Sequence, residues 1–325
     1  MTFAVATARE CRDDAVTRLA AAGVDTPRVD AEWLLAEALG VRRSGLHALL
    51  DQALSADTAE RYDAWVRRRA RRVPLQHILG TQAFRDGVLR VTPDVLVPRP
   101  ETELLVSWAL DLLPPPGPAT PLVIDVGTGS GCIACALACE RPDVRVIALD
   151  TSPAAVVVAR ANIAALGVSD RISVAVSDLF SGLEPIRADL IVSNPPYIPS
   201  ADIATLAPEV RDYDPRSAID GGPDGLGVIR RLVTEAPRWL QPGASLVLET
   251  AGGEQVDLVV VLMREADLIA ITTRRDLAGV TRFVAGRASN AGFARAILGS
   301  GGRQGESEPQ ARSARRQGGK APLPV

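Results

Sequence analysis

Leu122-Val123-Ile124-Asp125-Val126-Gly127-Thr128-Gly129-Ser130-Gly131 decides the fold. A short run, apolar except for Asp125, passes directly into three alternate glycines, and a helical pattern begins at Cys132. A continuous apolar run of this length reads as a strand buried on both faces. The glycines permit positive φ and let a ligand approach the backbone closely. Similar runs predict further strands over 145–149, 172–176, 188–193, 244–249 and 281–285, with helical patterns between them. That alternation from 99 to 287 specifies an α/β fold, a doubly wound, Rossmann-like sheet. Pro114-Pro115-Pro116-Gly117-Pro118 is a stiff loop before its first strand.

Upstream the character changes. Residues 1–80 carry apolar positions at helical spacing, such as Val29, Trp33, Leu34, Ala36 and Leu39 before the stop at Gly40. Ser55 reads as the N-cap of a following helix that carries Tyr62, Trp65 and Val66. A small N-terminal helical bundle is expected. Arg67-Arg68-Arg69 with Arg71-Arg72 forms a basic run, either a solvated helix face or a docking surface for an acidic or RNA-bearing partner. Residues 81–98, with Phe84, Val88, Leu89, Val91, Val95 and Val97 around Asp86-Gly87 and Pro93-Asp94, predict a β-hairpin joining the two domains. Residues 288–325 are rich in Gly, Ser, Gln and Arg and read as a disordered basic tail with no assigned function.

Composition bounds the function. The chain has 325 residues, 47% hydrophobic and 23% charged, with a formal net charge of −3. A pI of about 5.6 argues against nucleic-acid binding through bulk charge. No apolar run approaches the ~20 residues of a membrane span. Arg9, Glu10, Arg12, Asp13 and Asp14 do not fit a secretory signal. A cytoplasmic, monomeric protein is expected. Cys132, Cys135 and Cys139 fall along one helical face with only the distant Cys11 left over, so they read as small packing residues and no metal site is assigned.

The glycine loop gives the first functional residues: Gly127, Thr128, Gly129, Ser130 and Gly131. Asp150 ends the second strand, where a carboxylate suits a ribose diol. Asp178-Leu179 follows the third strand, where an acid beside apolar residues suits an adenine ring; Asp178 reads equally as a helix cap. Dinucleotide-binding proteins also use glycines and a later acid, but space their third glycine one residue further on. The layout resembles class I methyltransferases that use S-adenosylmethionine. By that resemblance the loop holds the methionine end, Asp150 the ribose, and Asp178 and Leu179 the adenine.

The fourth strand runs into Asn194-Pro195-Pro196-Tyr197. Two prolines stiffen the turn, and it lies at the carboxyl end of a strand, where doubly wound sheets bind ligands. An ordinary turn is the bland reading. In class I methyltransferases this motif marks enzymes that methylate a nitrogen conjugated to a π-system. Such a nitrogen is a poor nucleophile, so orientation matters more than a base. The Asn194 side-chain oxygen and the Pro195 carbonyl can each accept one N–H, aiming the lone pair at the methyl group. Tyr197 can pack on the planar group. These assignments make Asn194, Pro195 and Tyr197 the catalytic candidates, add Pro196 to the acceptor site, and place Asn194 beside the cofactor as well.

Further segments resemble one family, the release factor glutamine methyltransferases. They are Pro74 to Gly80, Val97 to Glu103, Glu209-Val210-Arg211 through Pro215, Asp220 to Leu226, and Arg275 to Gly279 with Arg282. The resemblance spans about residues 1–287 and implies a substrate: the glutamine of the Gly-Gly-Gln loop of bacterial peptide-chain release factors. A sister family acts on a ribosomal-protein glutamine and has Pro-Arg-Ser-Pro where this chain has Pro98-Arg99-Pro100-Glu101. One departure is Glu249-Thr250-Ala251-Gly252-Gly253-Glu254-Gln255, where the family has Glu-x-Gly after the last core strand. Rival readings are a nucleic-acid amino-methyltransferase, a non-catalytic S-adenosylmethionine-binding or translation-factor-docking protein, and a nicotinamide-dependent oxidoreductase. Glu101 and Glu103 suit a helix N-terminus as well as a substrate contact, and His77 reads as structural.

Overall fold

In the computed structural model, which describes residues 6–289, the N-terminal region is helical for the local reasons its sequence gives. Helices α1 (Ala8–Ala21), α2 (Pro27–Leu39), α3 (Ala56–Ala70) and α4 (Leu75–Leu79) surround a 3-10 segment, Arg43–Leu49. Thr7 and Glu10 close a capping box on α1. Ser55 caps α3, accepting from the Thr58 amide at 3.2 Å as expected. Leu19, Leu34, Leu35, Tyr62 and Val66 form the core of this bundle, and burying each side chain contributes about 1.5–3 kcal/mol. One expectation is corrected. The buried apolar residues of α2 are Ala31, Leu34, Leu35, Ala36 and Ala38; Leu34 and Ala36 are interior as expected and Leu39 packs against the core, but Val29 and Trp33 lie outside, 38% and 43% exposed. Apolarity alone drew the stripe too wide at its first turn, and Arg43 covers the outward Trp33 ring at 6.0 Å.

The basic run divides: Arg67, Arg68 and Arg71 are exposed, as a solvated face would be, whereas Arg69 and Arg72 turn inward. Arg69 is buried and pairs with Asp30 at 2.6 Å and with Glu209 at 2.8 Å. Arg72 grips the same Glu209 through two nitrogens at 2.6 and 2.7 Å. Glu209 lies in the second domain, so Arg69 and Arg72 tie the two domains together.

Strands β1 (Thr81–Phe84) and β2 (Gly87–Arg90) form the hairpin. The sequence extends it through Val97, but the ladder ends at Arg90; Pro93 and Pro98 lack the N–H a longer ladder needs. Residues 91–99 instead run irregularly along the second domain. At the hairpin turn Arg85 donates to Ser107 at 2.6 Å and pairs with Glu140.

The second domain continues with α5 (Pro100–Leu112), β3 (Leu122–Val126), α6 (Cys132–Glu140), β4 (Arg145–Asp150), α7 (Pro153–Ala165), β5 (Ile172–Val176) and β6 (Ala188–Ser193). Beyond these come α8 (Pro208–Arg211), α9 (Arg216–Ile219), α10 (Gly227–Glu235), β7 (Leu240–Glu249), α11 (Glu254–Glu265), β8 (Leu268–Arg275) and β9 (Thr281–Ala288). The sheet order is β5-β4-β3-β6-β7-β9-β8. Neighbours are parallel from β5 to β7, and β9 is antiparallel to both β7 and β8. Val123, Val146, Leu190 and Val192 face α5 and α6, whereas Ile124, Val126, Ile191 and Leu248 face α10 and α11. This is the doubly wound α/β arrangement the sequence predicts, with one strand more. β8 went unread because it follows α11 without Gly or Pro and its residues are mostly exposed. The expected tail, 288–325, lies outside the described residues beyond Ser289; Ala288 is the last residue of β9. Strand order reverses between β4 and β6 on either side of β3, which opens a crevice at the strands' carboxyl ends.

Candidate active site

That crevice is a cavity of roughly 230 Å³ with its floor at the glycine loop. Gly127 and Gly129 have φ of 72° and 54° and nothing within 4 Å of where a Cβ would stand, so their backbone faces open space. Gly131 (φ 81°) serves packing instead: a Cβ there would come within 3.3 Å of the Ala159 Cβ on α7. The loop is held from both sides. Asp150, at the end of β4, accepts the Gly129 amide at 2.8 Å and the Ser152 amide at 2.9 Å. Asn162 on α7 donates to the Ser130 carbonyl at 2.8 Å and exchanges two bonds with the Arg90 backbone. Beneath, the buried Asp125 accepts from the Thr128 hydroxyl at 2.6 Å, and burial pushes its carboxyl up to about 7.

After β5 the chain turns at Leu179, whose φ of 49° is strained for a branched side chain, at a cost of about 1–2 kcal/mol. Ser177 holds that turn by donating to the Leu179 carbonyl at 2.9 Å and accepting from Gly182. Phe180 stacks on Trp239, centroids 5.2 Å apart. Asp178 caps no helix, since none starts before β6. Its carboxylate instead pairs with Arg231 of α10 at 2.9 Å, on the cavity rim.

Asn194, Pro195 and Pro196 close the far wall of this cavity. Asn194 also lines a second cavity, with Tyr197, Ile198, Leu206, Val210 and Ile219. It therefore stands where the two spaces meet. Its Nδ2 donates to the Thr102 hydroxyl at 3.0 Å, which donates to the Glu249 carboxylate at 2.9 Å. The Tyr197 hydroxyl donates to the other Glu249 oxygen at 3.3 Å. Burial drives the Tyr197 hydroxyl up and the Glu249 carboxyl up to about 7. Sequence reading missed both Thr102 and Glu249 as members of the site. The available signal was a carboxylate at the end of the apolar strand Leu246-Val247-Leu248, on the same sheet edge as Asn194.

Two family descriptions match parts of the chain: "PrmC N-terminal domain" over residues 10–80 and "Methyltransferase small domain" over residues 102–208. A release factor glutamine methyltransferase of Geobacter sulfurreducens is 43% identical over 269 residues, covering 83% of this chain and 92% of its own length. The chain belongs to the release factor glutamine methyltransferase family. The Mycobacterium tuberculosis release factor glutamine methyltransferase is 44% identical over 286 residues, covering 86% of this chain and 90% of that protein. In fold, the chain resembles the hMettl16 catalytic domain solved with the MAT2A 3′UTR hairpin 1, at a TM-score of 0.50 and 17% identity, over 71% of this chain and 80% of that one.

As a member of this family the chain is a methyltransferase, and its predicted site residues gather as follows. Gly127, Thr128, Gly129, Ser130, Asp150, Asp178, Leu179, Asn194, Pro195 and Pro196 line the first cavity. Gly131 does not, and Tyr197 belongs to the second cavity. The displaced glycine after Glu249 leaves the loop ordered: Gln255 accepts the Ala251 amide at 2.8 Å and donates to the Tyr197 carbonyl at 2.9 Å. His77 is buried, which lowers its basicity. Among the described residues no group of His, Cys, Asp or Glu side chains is placed to hold a metal ion, and no helix is long and apolar enough to cross a membrane.

Proposed function

We propose that this chain methylates the side-chain amide nitrogen of the glutamine in the Gly-Gly-Gln loop of peptide-chain release factors, working as a monomer in the cytoplasm. The observation that carries the reading is Asn194 at the junction of two cavities, one floored by glycines and the other lined by Tyr197 and by Ile198, Leu206, Val210 and Ile219 of the segment that follows the motif. When bound, S-adenosylmethionine supplies a methyl group on a sulfonium sulfur. The residues fit it: Gly127 and Gly129 present open backbone to its methionine end, and the Asp150 oxygens, each with a free lone pair, suit its ribose hydroxyls. Asp178 and Leu179 form the edge suited to adenine.

Asn194 Oδ1 and the Pro195 carbonyl accept the two hydrogens of the glutamine NH2, Tyr197 packs on its plane, and Pro196 fixes the turn. That grip rotates the nitrogen lone pair out of conjugation and toward the donor cavity. Orientation of this kind lowers a barrier by several kcal/mol. The same carbonyls would stabilise positive charge as it builds on nitrogen; the new C–N bond would form as the methyl–sulfur bond breaks with its electron pair left on sulfur, and one proton would leave the nitrogen to solvent.

Labelled S-adenosylmethionine, incubated with purified release factor, its loop Gln→Ala variant, a ribosomal protein and DNA, tests the reading. Label is expected on wild-type release factor alone; equal label on the Gln→Ala variant, or label on DNA only, would sink it. Asn194→Ala should lower kcat at least 100-fold with donor affinity within about threefold. Asp150→Ala should weaken donor binding about tenfold or more, read by calorimetric titration.

A further inference from the structure

We infer that Glu249, acting through Thr102, fixes which end of the Asn194 amide faces the acceptor nitrogen. The inference rests on the methyl transfer proposed above and assigns two positioning residues to it. Glu249 ends β7 and is 1% exposed; Thr102 lies in the first turn of α5 and is 2% exposed. An ionised carboxylate can only accept hydrogen bonds, and a hydroxyl has a single proton. The Thr102 proton is committed to Glu249 Oε2. Its lone pairs can then take only a donor, so Asn194 must present Nδ2 to Thr102. The amide oxygen is left at the other end of a side chain that lines both cavities.

The consequence is directional. A primary amide fits its site almost equally well in two orientations that differ in which end donates. Reversed, Asn194 would offer N–H groups to an incoming NH2, and the acceptor would meet donors instead of an oxygen. One buried charge removes that alternative. The same carboxylate takes the Tyr197 proton on Oε1, so the aromatic wall and the amide are referenced to one group.

Ionisation of Glu249 is set by what surrounds it: Arg282 on β9, itself held by Asp276, favours the charge, while Glu101 on α5 opposes it. Tyr197 and the Cys132 thiol also lie within its electrostatic reach. Burial dominates and places the carboxyl near 7. Once protonated, Glu249 can donate to Thr102, the Thr102 proton can turn to Asn194, and the amide polarity is lost.

The test compares Thr102→Val, Thr102→Ser and Glu249→Gln with wild type, on release factor and S-adenosylmethionine. Thr102→Val keeps the shape and removes the hydroxyl. It should lower kcat about 10- to 100-fold, with KM for release factor and donor affinity within about threefold, and Thr102→Ser should recover most of the loss. Wild-type kcat should fall as pH drops through about 7, and Glu249→Gln, with nothing to titrate, should lack that acid limb. In the free enzyme the Asn194 side-chain ¹⁵NH2 resonance should shift over the same pH range in wild type and stay fixed in Glu249→Gln. A folded Thr102→Val with near wild-type kcat, a Thr102→Ser as defective as Thr102→Val, or an unchanged acid limb in Glu249→Gln would each overturn the inference alone. Absence of label with wild type would overturn the proposed reaction as well.

Discussion

Asp125 carries a carboxyl with no solvent exposure, one oxygen held by Thr128 and the Ala134 amide and the other without a partner. Burial raises it from an ordinary 3.8 to about 7. The unfolded chain therefore releases this proton near 3.8, while the folded protein retains it to about 7. Between those values the folded state binds more protons, so stability falls as pH rises and levels off above about 7. Glu249 and Asp214, raised to about 7 and about 6, act with the same sign. Wild type should lose melting temperature from pH 5 to pH 8, by roughly 5 °C, and Asp125→Asn should lose clearly less. A fluorimetric melting series across pH reads this directly, and parallel curves would contradict it. At this scale the sequence shows the residue and withholds its burial: Asp125 is legible as an acid inside a strand, but its partners come from a turn and a helix that fold over it.

The strand, turn and helix around the glycine loop form one element with two kinds of glycine. Gly131 lets α6 approach α7, whereas Gly129 leaves open backbone toward the cleft. Gly131→Ala should destabilise the protein by about 1–3 kcal/mol, through positive φ and crowding against Ala159, as seen in denaturant midpoints. Gly129→Ala meets nothing nearby and should chiefly weaken donor binding. Elements of this kind were the most legible part of the chain. Apolar runs gave β3, β4, β5 and β6 nearly to the residue; β3 and β6 are buried on both faces and leave an almost uninterrupted signal, and the edge strand β5, though partly exposed, keeps the run Ile172-Ser173-Val174-Ala175-Val176. β8 escaped because an edge strand need bury little. The hairpin was read too long because its valines pack against α7 rather than continuing a ladder; Val91 and Val95 cluster with Ala155 and Val158. Asn194 and Tyr197 were visible as a motif, while Thr102 and Glu249 became part of the site only when β7 and α5 brought them beside it.

Across the whole molecule, Glu209 is the point where the helical bundle holds the loop that follows Asn194-Pro195-Pro196-Tyr197. Arg69 and Arg72 converge on it, and Tyr213 donates to the Arg71 carbonyl at 2.7 Å nearby. Glu209→Ala should lower stability by about 1–3 kcal/mol. In scanning calorimetry it should also separate melting of the bundle from that of the sheet domain; a single unshifted transition would contradict this. The arginines are legible in the sequence, but Glu209, 137 residues beyond Arg72, is not. The cysteines distribute themselves over the same architecture. Cys135 is interior, Cys11 and Cys132 are half-buried, and only Cys139 is exposed, while burial pushes the Cys132 thiol up to about 12. A maleimide dye at neutral pH should therefore react first at Cys139, at the far end of the helix that begins at the glycine loop. The molecule thus carries a native attachment point for a fluorophore at the end of α6 away from the cleft, so a label can be placed without engineering a cysteine and without touching the site.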